Sequence, residues 1–258
     1  MYEPIPTRLY IGIAVMSMLL LLGVWSAVSY GHLVQRLFLP TPVDVWHAGL
    51  AEARDGTLWT DISASVYRIV FGFAIATAVA IPIGVLMGTY KLGEAFFEPP
   101  IDFIRYMPAV AFVPLTLIWF GTADSQKLVL LFIGIFFQEV LLIMDNVKTV
   151  PRSLVEAAYT MGLRQHQVIR RVIVPAALPG MVDTLRISMG WAWTYLVVAE
   201  LVGANDGLGF RIQQAQRYLD TPTIILGILV IGLLGLCFDF GFKAIYARAF
   251  PYLRRRGR

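Results

Sequence analysis

Hydrophobic and polar positions divide the chain into long uncharged runs separated by short polar stretches. The first run covers about residues 9–30 without a charge, enough for a helix to cross a bilayer core of about 30 Å. Further runs cover about 62–89, 101–120, 127–144, 181–202 and 223–250. Each predicts a helix, because a segment in lipid must satisfy its backbone hydrogen bonds within itself. The pattern predicts an all-α polytopic membrane protein with six transmembrane helices in one domain over residues 1–258. A cleaved signal peptide is the rival reading of the first run, with Ala27-Val28-Ser29 as its cleavage site. Signal cores span only about 7–15 residues, which favours a retained span. In the polar stretch 31–61, Val43, Trp46 and Leu50 mark one face of a short helix opening at Pro42. Its tryptophan suits the headgroup layer.

Polar positions inside the runs stand out. The second carries Arg68, Pro82 and the pair Gly84 and Gly88, a GxxxG spacing that lets helices approach closely. The third holds Arg105, Pro108 and Pro114, and the fourth Gln138 and Glu139. The fifth holds Arg186, Trp191, Trp193 and Glu200. The sixth holds Asp239 and Lys243, which are i, i+4 and can pair. A charge in a span costs a few kcal/mol, so it faces a bundle interior or water.

The longest mixed-polarity segment is 151–175, and its pattern predicts helix–Gly–helix. Pro151 suits a first turn, where its missing N–H is not needed. Leu154, Val155, Ala158 and Met161 then share one face. Gly162 follows, where a left-handed residue ends many helices. In the second helix Val168, Ile169, Val172 and Ile173 oppose Arg164, Arg170 and Arg171. Pro175 is expected to stop this helix, and Pro175 with Pro179 to bracket a turn into the fifth span. An ordinary amphipathic hairpin would share this shape; the spacing separates the two readings.

Glu156-Ala157-Ala158, three residues, Gly162, nine residues, then Val172-Ile173-Val174-Pro175 resembles the EAA loop of ABC importer permeases, with valine for the pattern's isoleucine and leucine. The resemblance implies a type I importer permease fold. It implies that Glu156, Ala157, Ala158, Gly162 and Pro175 belong to a cytoplasmic loop seated on an ATP-hydrolysing subunit. Glu156 would anchor that loop by a charge-assisted contact or a helix cap. The stretch Arg105-Tyr106-Met107-Pro108 through Pro114-Leu115 and Ile118-Trp119-Phe120-Gly121 is similar to permeases for nitrate, taurine, alkanesulfonates and bicarbonate. So are Trp193 through Leu201-Val202-Gly203-Ala204 and Gly207-Leu208-Gly209.

Charge placement agrees with a cytoplasmic loop independently of the motif. With both termini cytoplasmic, thirteen Lys and Arg fall on the cytoplasmic side and five on the other, counting the terminal Arg254-Arg255-Arg256-Gly257-Arg258. Positive charge favours the cytoplasmic side of inner membranes. Composition fits the same class, at 58% apolar and 15% charged against about 25% charged in soluble domains. The net charge is +4. The single Cys237 excludes a disulfide framework, and His32, His47 and His166 share no metal-ligand spacing. Nothing calls for a nucleic acid.

No G-x-x-x-x-G-K-[ST] occurs, so ATP and its Mg are expected on a partner. The resemblance implies two cytoplasmic ATPases, a periplasmic or lipid-anchored solute-binding protein, a second permease copy as homodimer, and an inner-membrane location. The solute expected is a small oxyanion, with Arg105 and Tyr106 on its path and Glu139, Trp191 and Glu200 as further candidates. Arg105 could instead snorkel to headgroups. Importers of riboflavin or pyrimidine precursors resemble the same stretches, and Gln138-Glu139 are more polar than an oxyanion permease leads one to expect. An ion-coupled secondary transporter would use Glu139 or Glu200, and would leave 151–175 unexplained. An intramembrane enzyme would need paired nucleophile, acid or metal residues, which the spans lack.

Overall fold

The computed structural model describes residues 6–253, among which no strand occurs. The basic run from Arg254 to Arg258, counted in the charge argument, lies outside them. The chain divides into two compact units. One comprises residues up to Thr60 together with Arg211–Leu229, and the other Asp61–Phe210 together with the residues from Val230 onward.

In the first unit, α1 (Thr7–Tyr30) is apolar on all sides, with none of its most hydrophobic stretch buried. A helix apolar all round and uncovered by protein suits lipid. The chain then turns to α2 (Pro42–Asp55), which opens at Pro42 as its pattern predicts. The Asp44 N–H donates to the Thr41 hydroxyl at 3.2 Å, and the Thr41 N–H donates to the Asp44 carboxylate at 2.9 Å. This reciprocal box satisfies two N–H groups at the helix start. Arg36 also donates to Asp44, at 3.0 Å. The Trp25 indole N–H fixes the linker by donating to the Pro40 carbonyl at 3.0 Å.

The second unit is built on α3 (Thr57–Thr89), α6 (Asp124–Lys148), α9 (Val174–Gly203) and most of α11 (Thr221–Ala249). Its core is apolar, with Ile69, Ala76, Leu131, Val140, Ile143 and Leu196 buried together with Phe73, Phe136 and Trp193. The GxxxG pair does what its spacing predicts. A Cβ on Gly84 would lie 2.7 Å from the Ile143 side chain, and one on Gly88 2.5 Å from that of Val147. Small residues here let α3 lie directly on α6. Asp239 and Lys243 pair at 2.6 Å, one turn apart on α11.

Two expectations are corrected. The third run is not one straight span. It consists of α4 (Lys91–Arg105), a 3₁₀ turn (Ala109–Phe112) and α5 (Val113–Phe120), bent by 83° at the break. Pro108 disfavours helical geometry at the residue before it, and α4 ends at Arg105, short of that proline. Among the described residues, five helices are long and apolar enough to span a membrane, six if the bent pair counts as one.

The second correction concerns Pro175, which does not stop its helix. From α8 (Gln165–Val168) the chain passes through a π turn (Ile169–Ile173) directly into α9. Val174 N–H donates to the Ile169 carbonyl, five residues back. The proline thus falls in the first turn of α9, directly after the π turn. Pro179 lies inside the same helix, so no turn separates the segment from the fifth span.

Candidate functional site

The helix–Gly–helix forms as α7 (Arg152–Thr160) followed by α8, with Pro151 as the N-cap rather than a first-turn residue. Gly162 has φ +81°. Its N–H donates to the Tyr159 carbonyl at 2.9 Å, and the Leu163 N–H to that of Ala158 at 3.1 Å. These two bonds make a Schellman closure, which needs a left-handed residue at Gly162. Of the predicted apolar face, Ala158 and Val155 turn inward, while Leu154 is 48% and Met161 79% exposed. Ala157 and Glu156 are exposed. Glu156 sits in the middle of α7 and caps nothing, because Pro151 holds the cap position. Beyond Gly162, Val168 is buried and Arg164, Arg170 and Arg171 are exposed, as their spacing predicts. The exposed apolar Leu154, Tyr159 and Met161 therefore flank an open carboxylate on one short rigid element.

The break between α4 and α5 opens a second feature. Residues 104–110, with Gly134 and Gln138 of α6 and Tyr195 of α9, enclose a cleft of about 220 Å³. Arg105 donates to Asp102 at 2.8 Å and lies over the Tyr106 ring, 4.8 Å from its centre. Gly134 seats the Tyr195 ring, since a Cβ there would fall 2.5 Å from it. Neither the Gln138 amide nor the Tyr195 hydroxyl makes a hydrogen bond among the described residues. The cleft thus offers one guanidinium and neutral hydrogen-bonding groups, the set that can hold an anion or a polar neutral solute.

Of the five path candidates from the sequence, Arg105 and Tyr106 line this cleft. Trp191 is half-buried one turn away on α9, off the lining. Glu139 is fully buried, where its carboxylate accepts from the Thr77 hydroxyl at 2.9 Å. It places no charge in the cleft.

Glu200 belongs to a third feature, a buried charge cluster. Its carboxylate accepts from Arg68 at 2.9 Å, from the Ser65 hydroxyl at 2.8 and 2.9 Å, and from the Gly209 N–H at 2.9 Å. Arg68 also pairs with Asp124 at 2.7 Å and with Asp206. Asp61 accepts from the Gly207 N–H at 2.9 Å, and Gly207 has φ +108°. The Lys127 ammonium, 1% exposed, donates to the Gly203 carbonyl. The cluster fastens the loop after α9 to α3 and α6. Both carboxylate oxygens of Glu200 accept hydrogen bonds, as a buried charge requires. Sequence reasoning missed this assembly and Tyr195. An arginine within a span signals that a partner exists, but the partners lie 56–138 residues away in the chain.

The chain matches the family described as "Binding-protein-dependent transport system inner membrane component" over residues 80–251. It is 34% identical to the taurine transport system permease protein TauC of Escherichia coli (strain K12), covering 96% of this chain and 92% of that one. A probable ABC transporter permease of Brucella melitensis is 40% identical, covering 78% and 82%. A bicarbonate transport system permease of Synechococcus elongatus is 30% identical, covering 71% and 66%. Among solved structures, an inward-facing MetNI methionine ABC transporter shares the fold, with TM-score 0.59 and 23% identity over 74% of this chain and 94% of that one. An amino acid ABC transporter does so with TM-score 0.61 and 16% identity over 81% and 97%.

Proposed function

We infer the mode of action from one premise: the chain belongs to the binding-protein-dependent transport system inner membrane component family, and is a multi-pass permease subunit of an ABC transporter. Two copies form a homodimeric path, one domain each. Two cytoplasmic ATPases bind ATP and Mg, and a periplasmic or lipid-anchored protein delivers the solute. Both termini and residues 151–175 face the cytoplasm. Glu156, Ala157, Ala158, Gly162 and Pro175 form the coupling segment, with Leu154, Tyr159 and Met161 as its apolar contacts to the ATPase.

One observation carries this reading. Gln165 to Gly203 is a continuous helical rod of 39 residues, about 58 Å long at 1.5 Å per residue. One end holds the Gly162 closure and the other holds the cluster around Glu200. A displacement at the coupling segment is therefore delivered to the far end of the spans without an intervening hinge loop. The spans rock between inward and outward access, and the solute passes the cleft at Arg105.

The solute is an oxyanion of the sulfonate, nitrate or bicarbonate kind. Relatives are named for taurine, aliphatic sulfonates and bicarbonate, and Arg105 supplies a bidentate cation at the cleft. Glu139 is not among the residues lining the cleft. A neutral precursor is the second reading, favoured by the free Gln138 amide.

The test is Gly162→Val in the assembled transporter. Valine at φ +81° is strained, so ATPase association should weaken at unchanged membrane expression. Glu156→Ala should do the same by removing an exposed contact. Full association and uptake in both variants would refute the coupling assignment. Single cysteines at Ser125 and Asn205 should label from outside, and one at Gln165 should not; the reverse would invert the sidedness.

A further inference from the structure

A second polar cleft lies where α3, α4, α6 and α7 converge. It has a volume of about 430 Å³, and Lys91, Glu94, Lys148 and Arg152 supply its charges. Glu94 accepts from Lys91 at 3.0 Å and pairs with Lys148 at 3.2 Å. One carboxylate thus serves two ammonium groups. Arg152 is exposed and makes no ion pair or hydrogen bond among the described residues. The four side chains carry a net charge of +2 around an open volume. Tyr90 and Thr89, at the end of the long span α3, form part of the wall, so the cleft lies at the end of a membrane-spanning helix. Basic pockets between spans at that level hold anionic headgroups.

We propose that this cleft binds a phosphate-type anion, with Arg152 as the free ligand and Lys91 and Lys148 as shared ones. Glu94 occupies the position of that anion when it is absent. The source is either the headgroup of an anionic phospholipid or a free inorganic oxyanion. Val150, Arg152 and Val155 bring the start of the 151–175 segment into the wall. An anion here therefore joins that segment to α4 and α6. Given the coupling reading above, on which this consequence rests, occupancy stiffens the coupling segment. Binding itself does not depend on that reading.

The test uses the assembled transporter in nanodiscs of phosphatidylcholine, with or without phosphatidylglycerol, and inorganic phosphate added to the lipid-neutral discs. Thermal stability and bound phosphatidylglycerol are measured. Wild type should be stabilised by one of the two anions. Arg152→Gln should weaken that anion's apparent affinity by about 3–10-fold, as expected for loss of one partly exposed charge-assisted bond, and Arg152→Lys should restore part of it. Glu94→Gln should tighten it by a similar factor, because the competing carboxylate is gone; a merely structural role for Glu94 would not improve binding. Stabilisation by phosphatidylglycerol alone assigns a lipid site, and equal stabilisation by phosphate assigns a soluble anion. Absence of both effects, or anion affinity unchanged in Arg152→Gln and Glu94→Gln, would overturn the proposal. Gly162→Val, which should weaken ATPase association, should leave the anion's affinity for the permease unchanged, which separates failure of this proposal from failure of the coupling assignment.

Discussion

Replacing Arg68 by methionine should be among the most damaging single changes in the spans, and its size follows from who its partners are. Asp124 and Asp206 have side chains 49% and 46% exposed, so each can return to water when the guanidinium is removed. Such half-exposed pairs contribute about 0–1 kcal/mol apiece. Glu200 is different. It is fully buried, and among the described residues Ser65 and Gly209 remain as its donors once Arg68 is gone. A buried charge stripped of its counter-charge costs about 3–5 kcal/mol, and this dominates the total. The double variant Arg68→Met with Glu200→Gln removes both charges and should recover most of the loss. The assay is a double-mutant cycle on the purified transporter, read by reversible denaturation in mixed micelles. A loss below about 1 kcal/mol in Arg68→Met, or a double variant no more stable than that single one, would refute the reasoning.

Other outcomes are expected elsewhere. Arg105→Gln should reduce ATP-driven uptake of the oxyanion with assembly intact, measured in proteoliposomes; normal uptake would remove Arg105 from the path. Gly88→Val should destabilise by about 1–3 kcal/mol, the usual cost of overpacking, because its Cβ would collide with Val147. The Asp44 carboxyl is held well below the usual carboxylate range by its hydrogen bond from Arg36 and by Thr41. A lowered value contributes stability above the unfolded carboxylate range, lost as pH falls through and below it. Limited proteolysis at the linker before α2 should therefore accelerate only in acid, and Asp44→Asn should abolish that dependence.

How much of this was legible in the sequence depended on the range of the interaction. Gly162 was readable because a helical period ended on a glycine, and its left-handed φ followed. Gly84 and Gly88 were readable because close approach leaves a four-residue signature. The 83° break was not read, although Pro108 carried the signal, because the apolar run continues across it and hydropathy does not register bends. Pro175 was misread because proline is a local stop signal that packed spans override, as Pro82 and Pro179 inside their helices also show. The charge cluster was visible only as Arg68 and Glu200 standing in apolar runs. Which groups meet is set by tertiary packing, so neither Asp206 nor Ser65 could be assigned. Tyr195 looked like any aromatic in a span until the break opposite it made a cleft.

The π turn at Ile169–Ile173 fixes something besides the path of the chain. A π turn accommodates one residue more than an α turn would, and each residue advances an α-helix by about 100°. It therefore sets the angular phase between α8 and α9. Removing a single residue there would leave helix on both sides, with hydropathy and spans unaltered. It would also spin the segment bearing Leu154, Glu156 and Met161 by roughly a quarter turn relative to α9. The orientation of the face bearing Leu154 and Glu156 relative to α9 is thus a discrete setting of the sequence, changed in steps by insertion or deletion.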